Sequence, residues 1–235
     1  MAAENQPLTR RTVLKGMGLG AVTIGTGSVV AACGGIKGSG GSSSGTIVIG
    51  LVTPLTGALA GFASGDQFVV DQVRKTSAYS KGFKVGTTTY NVNVVVKDSQ
   101  SDPNRASQVA RELILQNNVD MMLTTSTPET TNPVATVCEA QHVPCVSTVV
   151  PWESWYLARQ PDPANPKPFK YTTMFFFGLK EFGGCFVPMW NRIPNDRVVA
   201  GMFPNDADGN AFRAGWPAIT KAAGYRVQID ASARG

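Results

Sequence analysis

Tyr90-Asn91-Val92-Asn93-Val94-Val95-Val96-Lys97-Asp98-Ser99-Gln100-Ser101-Asp102-Pro103 holds the change of period on which the fold turns. Up to Val96 polar and apolar residues alternate, the two-residue period of a strand with one covered face. Asp98 to Ser101 then breaks the strand. Asp102 stands as an N-cap, with Pro103 at the first helical position, where its missing N–H costs nothing. The following segment places Ala106, Val109, Ala110, Leu113 and Ile114 on one helical face.

The same alternation extends in both directions. Upstream, Thr46-Ile47-Val48-Ile49-Gly50-Leu51-Val52 is a short β-branched run that reads as a buried strand, closed by the turn Thr53-Pro54-Leu55-Thr56-Gly57. A helix is expected from about Ala63 to Tyr79. Downstream, Val119 to Leu123 reads as a third strand, Pro128 to Ala140 as a helix, and Val143 to Val149 as a fourth strand. Strands separated by helices predict an α/β fold, a parallel sheet with right-handed crossovers. Pro161, Pro163, Pro166 and Pro168 interrupt the pattern. A second series then begins near Tyr171, with helices at about Glu181–Arg192 and Ala211–Ala223 and strands at Arg197–Phe203 and Tyr225–Ile229. The domain reading is a leader over 1–33, a tether over 34–45, a first α/β lobe over 46–160, a connection over 161–170 and a partial second lobe over 171–235.

The leader has its own chemistry. Thr9-Arg10-Arg11-Thr12-Val13-Leu14-Lys15 precedes an uncharged run that ends in Val30-Ala31-Ala32-Cys33-Gly34. Basic residues, a short apolar run and small residues at a cleavage point form an export signal. Glycines at 18, 20, 25 and 27 make the run too weak for a permanent span. Arg10-Arg11 resembles the twin-arginine export motif, and Val30-Ala31-Ala32-Cys33 resembles a bacterial lipobox, whose cysteine takes the lipid. The Gly/Ser-rich residues 34–45 suit a flexible tether.

Charge and cysteines narrow the function classes. The formal net charge is +5, of which residues 1–32 contribute +2. The basic residues of the body are scattered singly, which argues against nucleic acid as a partner. Apart from Cys33, the cysteines are Cys138, Cys145 and Cys185. In an exported protein the short loop from Cys138 to Cys145 favours a disulfide over two free buried thiols. Cys185 reads as a core thiol. One histidine, His142, and no CxxC pair leave zinc without a ligand set, so neither metal nor cofactor is expected.

Ligands of open parallel sheets bind beyond the carboxyl ends of the strands. Those ends are Thr53–Gly61, Asp98–Asp102, Thr124–Pro128, Ser147–Trp152 and Asn205–Gly209, rich in hydroxyls, glycine and carboxylates. Thr124-Thr125-Ser126-Thr127-Pro128 leads into a helix, so its hydroxyls and the first helical N–H groups suit a carboxylate. An enzyme is the rival reading, with Ser126 as nucleophile beside Asp206 and Asp208, but the base a triad also needs is wanting, since His142 reads as a surface residue in the turn beside Pro144. No nucleophile elbow or phosphate-binding glycine loop follows any strand to support it.

From Thr46 onward the chain resembles the type I periplasmic binding proteins of the leucine/isoleucine/valine-binding class, which serve ABC importers. The resemblance is carried by Ile49–Gly57, Lys97–Pro103, Val143-Pro144-Cys145-Val146-Ser147 and Pro204-Asn205-Asp206-Ala207-Asp208-Gly209. It implies two α/β lobes with parallel sheets flanked by helices, closing on an amino acid or similar small polar solute, with the second lobe incomplete here. It also implies a membrane permease as partner, anchorage through Cys33 and no catalysis, or a ligand-sensing subunit on the same fold. It sets Phe62 over the ligand, Ser126 and Thr127 at a hydroxyl contact, and Ser147, Thr148 and Val149 at backbone contacts. Asp206 and Asp208 approach from the second lobe. Amino-acid binders of this class carry a tyrosine before the glycine where this chain has Asp208.

Overall fold

A computed structural model describes residues 44–229. The leader, with Arg10, Arg11 and Cys33, and the tether up to residue 43 lie outside the described residues. The first half holds β1 (Ser44–Thr53), α1 (Ala60–Arg74), α2 (Ser77–Ser80), β2 (Phe83–Val85), β3 (Thr88–Asp98), α3 (Pro103–Leu115), β4 (Met121–Thr125), α4 (Pro128–Gln141), β5 (Cys145–Thr148), α5 (Trp152–Tyr156) and β6 (Thr172–Phe175). Then follow α6 (Leu179–Trp190), β7 (Val198–Gly201), α7 (Ala207–Ala222) and β8 (Arg226–Ile229).

Six strands form one sheet in the order β2-β3-β1-β4-β5-β6. All pairings are parallel except β2 with β3. β3 and β4 lie on opposite sides of β1, so the strand order reverses there. The three-residue edge strand β2 is a departure from the expected pattern; Phe83 stacks on Tyr90 across the hairpin. The expected helix over 63–79 also divides. The N–H groups of Lys75 and Thr76 turn to carbonyls three residues back, and the Thr76 hydroxyl accepts from Tyr79 N to start a new turn.

Residue pattern and burial agree closely in α3. Asp102 caps it by accepting from Arg105 N at 2.7 Å, and the whole Ala106–Ile114 stripe is buried. Leu113, fully buried, packs where Gly50 of β1 lets Met122 of β4 come close: a Cβ on Gly50 would lie 2.6 Å from the Met122 sulfur. This core continues through Val134, Ala135 and Trp155.

Thr172–Phe175, expected to open the second lobe, is instead the last strand of the first sheet, pairing Cys145 with Thr172 through Thr148 with Phe175. Side chains from α4 and from the segment after α5 hold it there. Glu139 accepts from Lys170 N at 2.7 Å, Tyr171 N at 3.0 Å and the Thr172 hydroxyl at 3.0 Å. Burial raises the Glu139 pKa, but these hydrogen bonds outweigh it and hold the carboxyl below its ordinary range. Arg159 stacks on Trp155 and Phe169 and donates to the Thr172 hydroxyl. The second unit therefore begins beyond Phe175. Its strands β7 and β8 pair in parallel, and α6 crosses α7 through Gly183 against Ile219.

The cysteines depart from expectation. Cys138 and Cys145 are buried free thiols, not a disulfide. Hydrogen bonding with Cys145 and burial both push the Cys138 thiol well above its ordinary range, so it is protonated and packs as a small apolar side chain. Cys185, expected in the core, is exposed on α6.

Leu113→Ala removes a fully buried side chain from the α3 face, and we expect a loss of about 2–5 kcal/mol in urea denaturation. A loss near zero would show that α3 does not anchor this core.

Candidate functional site

Parallel pairing puts the carboxyl ends of β1, β3, β4, β5 and β6 along one edge. There the loop after β1 is braced by the end of β3. Asp98 accepts from Leu55 N at 2.8 Å, Thr56 N at 3.2 Å, the Thr56 hydroxyl at 2.6 Å and Gln100 N at 2.7 Å. Burial raises the Asp98 pKa, but this set of donors outweighs it and lowers the carboxyl below its ordinary range. Ser101 accepts from Leu59 N and donates to Thr56 O. Gly57, at φ 89°, fits under Gln100 and Ser101, where a Cβ would sit 2.6 Å from the Ser101 hydroxyl.

The crevice at the β1/β4 reversal is occupied by Asp66 of α1, a residue that the sequence reading missed. Its Oδ2 accepts from the Thr53 hydroxyl at 2.6 Å and the Ser126 hydroxyl at 3.0 Å, and its Oδ1 from the Thr125 hydroxyl at 3.2 Å. Ser126 also reaches Phe62 O at 3.3 Å. The Ser126 hydroxyl is thus committed to α1. The only sequence signal for Asp66 is an acid on a helix that follows a hydroxyl-ended strand. Phe62 itself points a 60% exposed side chain outward beside this crevice.

Backbone strain concentrates at the same edge. Of the eight described non-glycine residues with positive φ, Gln100, Ser101, Ser126, Thr127 and Val149 lie at the ends of β3, β4 and β5. For β-branched Thr127 (φ 74°) and Val149 (φ 62°) that conformation is costly, and such outliers cluster where the chain binds or reacts. Thr127 is the N-cap residue of α4 but does not cap it. Its hydroxyl is buried without a hydrogen-bond partner, and the start of a 14-residue helix is left without a side-chain acceptor.

The register Thr124–Ser147 and Thr125–Thr148 brings the expected residues of β4 and β5 together. Their side chains are engaged elsewhere. Ser147 accepts from Trp155 Nε1 at 3.1 Å, and Thr148 donates to Phe175 O at 2.9 Å. Past Thr148 it is therefore backbone, twisted at Val149, that faces the edge.

From the second unit, α7 enters against α5. Asp206 is consumed as N-cap, accepting from Gly209 N at 2.7 Å. Asp208 is not consumed. Its Oδ1 is buried, and the one donor that acts on the carboxyl is the Ser154 hydroxyl of α5, itself 1% exposed. Burial pushes the Asp208 carboxyl up to about 6; Ser154 offsets part of the rise, and Asp206 and Glu129 add to it.

The serine–histidine arrangement does not assemble. Ser126 precedes α4 and His142 is its left-handed C-cap, so the helix holds them roughly 20 Å apart. His142 stacks on Tyr171 instead.

A carboxyl raised in the folded state stabilises the fold below its unfolded value near 4, and that contribution is lost as pH rises through about 6. Asp208→Asn should therefore gain stability relative to wild type between pH 4 and pH 7, read from urea midpoints. A difference that stays constant over this range would contradict the buried carboxylate.

Residues 46–231 match the family model described as periplasmic binding protein. No curated protein matches the chain. Among solved structures, a leucine-binding protein from Thermotoga maritima MSB8 is similar at 15% identity and TM-score 0.62, covering 78% of this chain and 48% of that one. A periplasmic binding protein from Burkholderia mallei is similar at 17% identity and TM-score 0.62, covering 81% and 48%. A solute-binding protein of an ABC transporter from Rhodopseudomonas palustris BisB5, in complex with 3,4-dihydroxybenzoic acid, is similar at 21% identity and TM-score 0.57, covering 78% and 46%. The chain spans about half the length of these structures. With its reversed parallel sheet and its strained, hydroxyl-rich carboxyl edge, the chain belongs to the periplasmic binding protein family.

Proposed function

We propose that this chain is the ligand-capturing part of an extracytoplasmic substrate-binding lipoprotein that serves an ABC importer. It takes an amino acid or similar small polar solute at the carboxyl edge of the first sheet, between that sheet and the second unit. The observation that carries this reading is the start of α4. There Thr127 is held at φ 74° with a buried, unpaired hydroxyl, and, since Pro128 has no N–H and Thr130 N donates to Thr127 O, Glu129 N is the first-turn amide left for a ligand. Those groups together make a seat for a carboxylate. The braced ledge at Asp98 and Ser101 and the backbone beyond Thr148 form its walls. Phe62, exposed beside the crevice, is the aromatic that would cover the solute.

Export through Arg10 and Arg11, lipid on Cys33 and a tether over residues 34–45 belong to the same reading. They would hold the binding body at the outer face of the cytoplasmic membrane, within reach of a permease. A sensor subunit would use the same seat. A hydrolase is the weaker account, because Ser126 is bonded to Asp66 and stands a helix length from His142.

Thermal-shift and calorimetric titrations of the full chain against amino acids, amides, urea and aromatic acids test this. We expect saturable stabilisation by one solute class, with the solute recovered unchanged. Thr127→Val should weaken that binding by about tenfold, the loss of one hydrogen bond to a charged group. Turnover of a bound solute would sink the binding-only reading, and so would the failure of every solute to stabilise the protein.

A further inference from the structure

We infer that Cys138 and Cys145, free thiols in this structure, are a redox pair that exchanges with a small disulfide to link α4 to β5, and that Arg159 promotes the exchange.

The backbone around the pair brings it together. Cys138 lies in the last turn of α4, and Cys145 opens β5. Val143 N donates to Cys138 O at 3.0 Å, which folds the connection back over the helix end. Met122 N donates to Pro144 O at 2.8 Å and Cys145 N to Tyr171 O at 3.0 Å, which pins the start of β5 between its neighbours. Both side chains turn into the core, 0% and 1% exposed, and the two thiols hydrogen-bond each other. A disulfide needs its sulfurs side by side on a backbone that does not have to move, and this arrangement meets that need. The cover over the pair is a short turn in which Gln141, His142 and Pro144 are exposed and His142 is left-handed at φ 58°. Opening that turn admits a small disulfide while the sheet stays folded.

Arg159 supplies the chemistry. Its guanidinium lies 4.3 Å from the Trp155 ring and 4.0 Å from the Phe169 ring. Nε donates to the Thr136 hydroxyl at 3.3 Å and Nη2 to the Thr172 hydroxyl at 3.2 Å, but Nη1 is buried with no acceptor. Among the charges that act on this cation Cys145 comes first, ahead of Glu139, whose carboxylate is engaged with Lys170 N, Tyr171 N and Thr172. A neutral thiol accepts a hydrogen bond weakly, whereas a thiolate beside an arginine is stabilised and is the nucleophile of disulfide exchange. Cys138 is held protonated by its hydrogen bond with Cys145 and by burial, so Cys145 attacks first.

The exchange balances in two steps. Cys145, its proton lost to solvent, attacks R–S–S–R to give Cys145–S–S–R and RS⁻. Cys138 passes its proton to that RS⁻, and its sulfur attacks the Cys145 sulfur, expelling a second RS⁻ that takes a proton from solvent. Two cysteine thiols are oxidised and one small disulfide is reduced to two thiols. The new bond fastens the far end of the helix whose start forms the proposed solute seat.

The test incubates the folded full chain with oxidised glutathione, then denatures it, alkylates it with iodoacetamide and digests it with trypsin. Both cysteines fall in one peptide, residues 112–159, because no lysine or arginine stands between Arg111 and Arg159. We expect this peptide to pass from two alkyl groups to none, and to regain both after dithiothreitol. Arg159→Gln should slow the conversion severalfold, and Arg159→Lys, which keeps the charge, should recover most of the rate. Cys138→Ser should trap glutathione on Cys145, whereas Cys145→Ser should leave Cys138 unmodified; these two decide the order of attack even where an Arg159 variant fails to fold. Two alkyl groups retained on the wild-type peptide, a bridge from it to Cys185, glutathione on Cys138 in the Cys145→Ser chain, or an unchanged rate in Arg159→Gln would each overturn the inference. None of these outcomes bears on solute capture.

Discussion

The carboxylate of Asp66 is the contact on which the binding edge depends. At the reversal of strand order, the backbones of β1 and β4 run side by side while their connections leave in opposite directions, which opens a crevice. Asp66 fills its floor by accepting hydroxyls from Thr53 on one strand and from Thr125 and Ser126 on the other. One side chain thereby fixes the angle of α1 over the sheet, the position of Phe62, and the orientation of Ser126. Because Ser126 is drawn towards α1, the chain must turn sharply to enter α4. That turn is made at left-handed Ser126 and Thr127. The unpaired hydroxyl of Thr127 at the start of α4 follows from the same constraint.

A second layer of carboxylates organises the rest. Asp98 and Glu139 each gather several donors from chain segments remote in sequence, and each is held below its ordinary pKa despite burial. They act as clasps: Asp98 closes the loop after β1, and Glu139 fastens β6 to the first sheet. Asp208 is the opposite case. It is buried near Asp206 and Glu129 with only the Ser154 hydroxyl acting as a donor, and its carboxyl rises to about 6. The contrast separates carboxylates that gather several donors and complete the fold from one that burial leaves with a single hydroxyl.

The alternation from Tyr90 to Pro103 and the α3 stripe were legible because strand and helix periods are local properties of the chain. The Asp102 cap, the strand ends and the second α/β series were equally local, and their positions hold to within a few residues. Assigning β6 to the first sheet was not local. A reader sees a proline-rich interruption and expects a boundary, whereas the assignment is made by Glu139 and Arg159 reaching across from other elements. The cysteines show the same limit. Spacing placed Cys138 and Cys145 beside each other, but in the core they are free thiols.

Sequence alone determined the class of fold, the edge at which strands end in hydroxyls, and the candidate residues there, since side-chain period and turn chemistry are written residue by residue. Tertiary structure decided which of those residues are spent and which are available. Ser126, Ser147, Thr148 and Asp206 are engaged within the fold, while Thr127 and Asp208 keep unpaired buried atoms. A hydrogen bond needs two partners, and those of Ser126 and Thr148 lie tens of residues away in sequence. Only the folded chain brings them together.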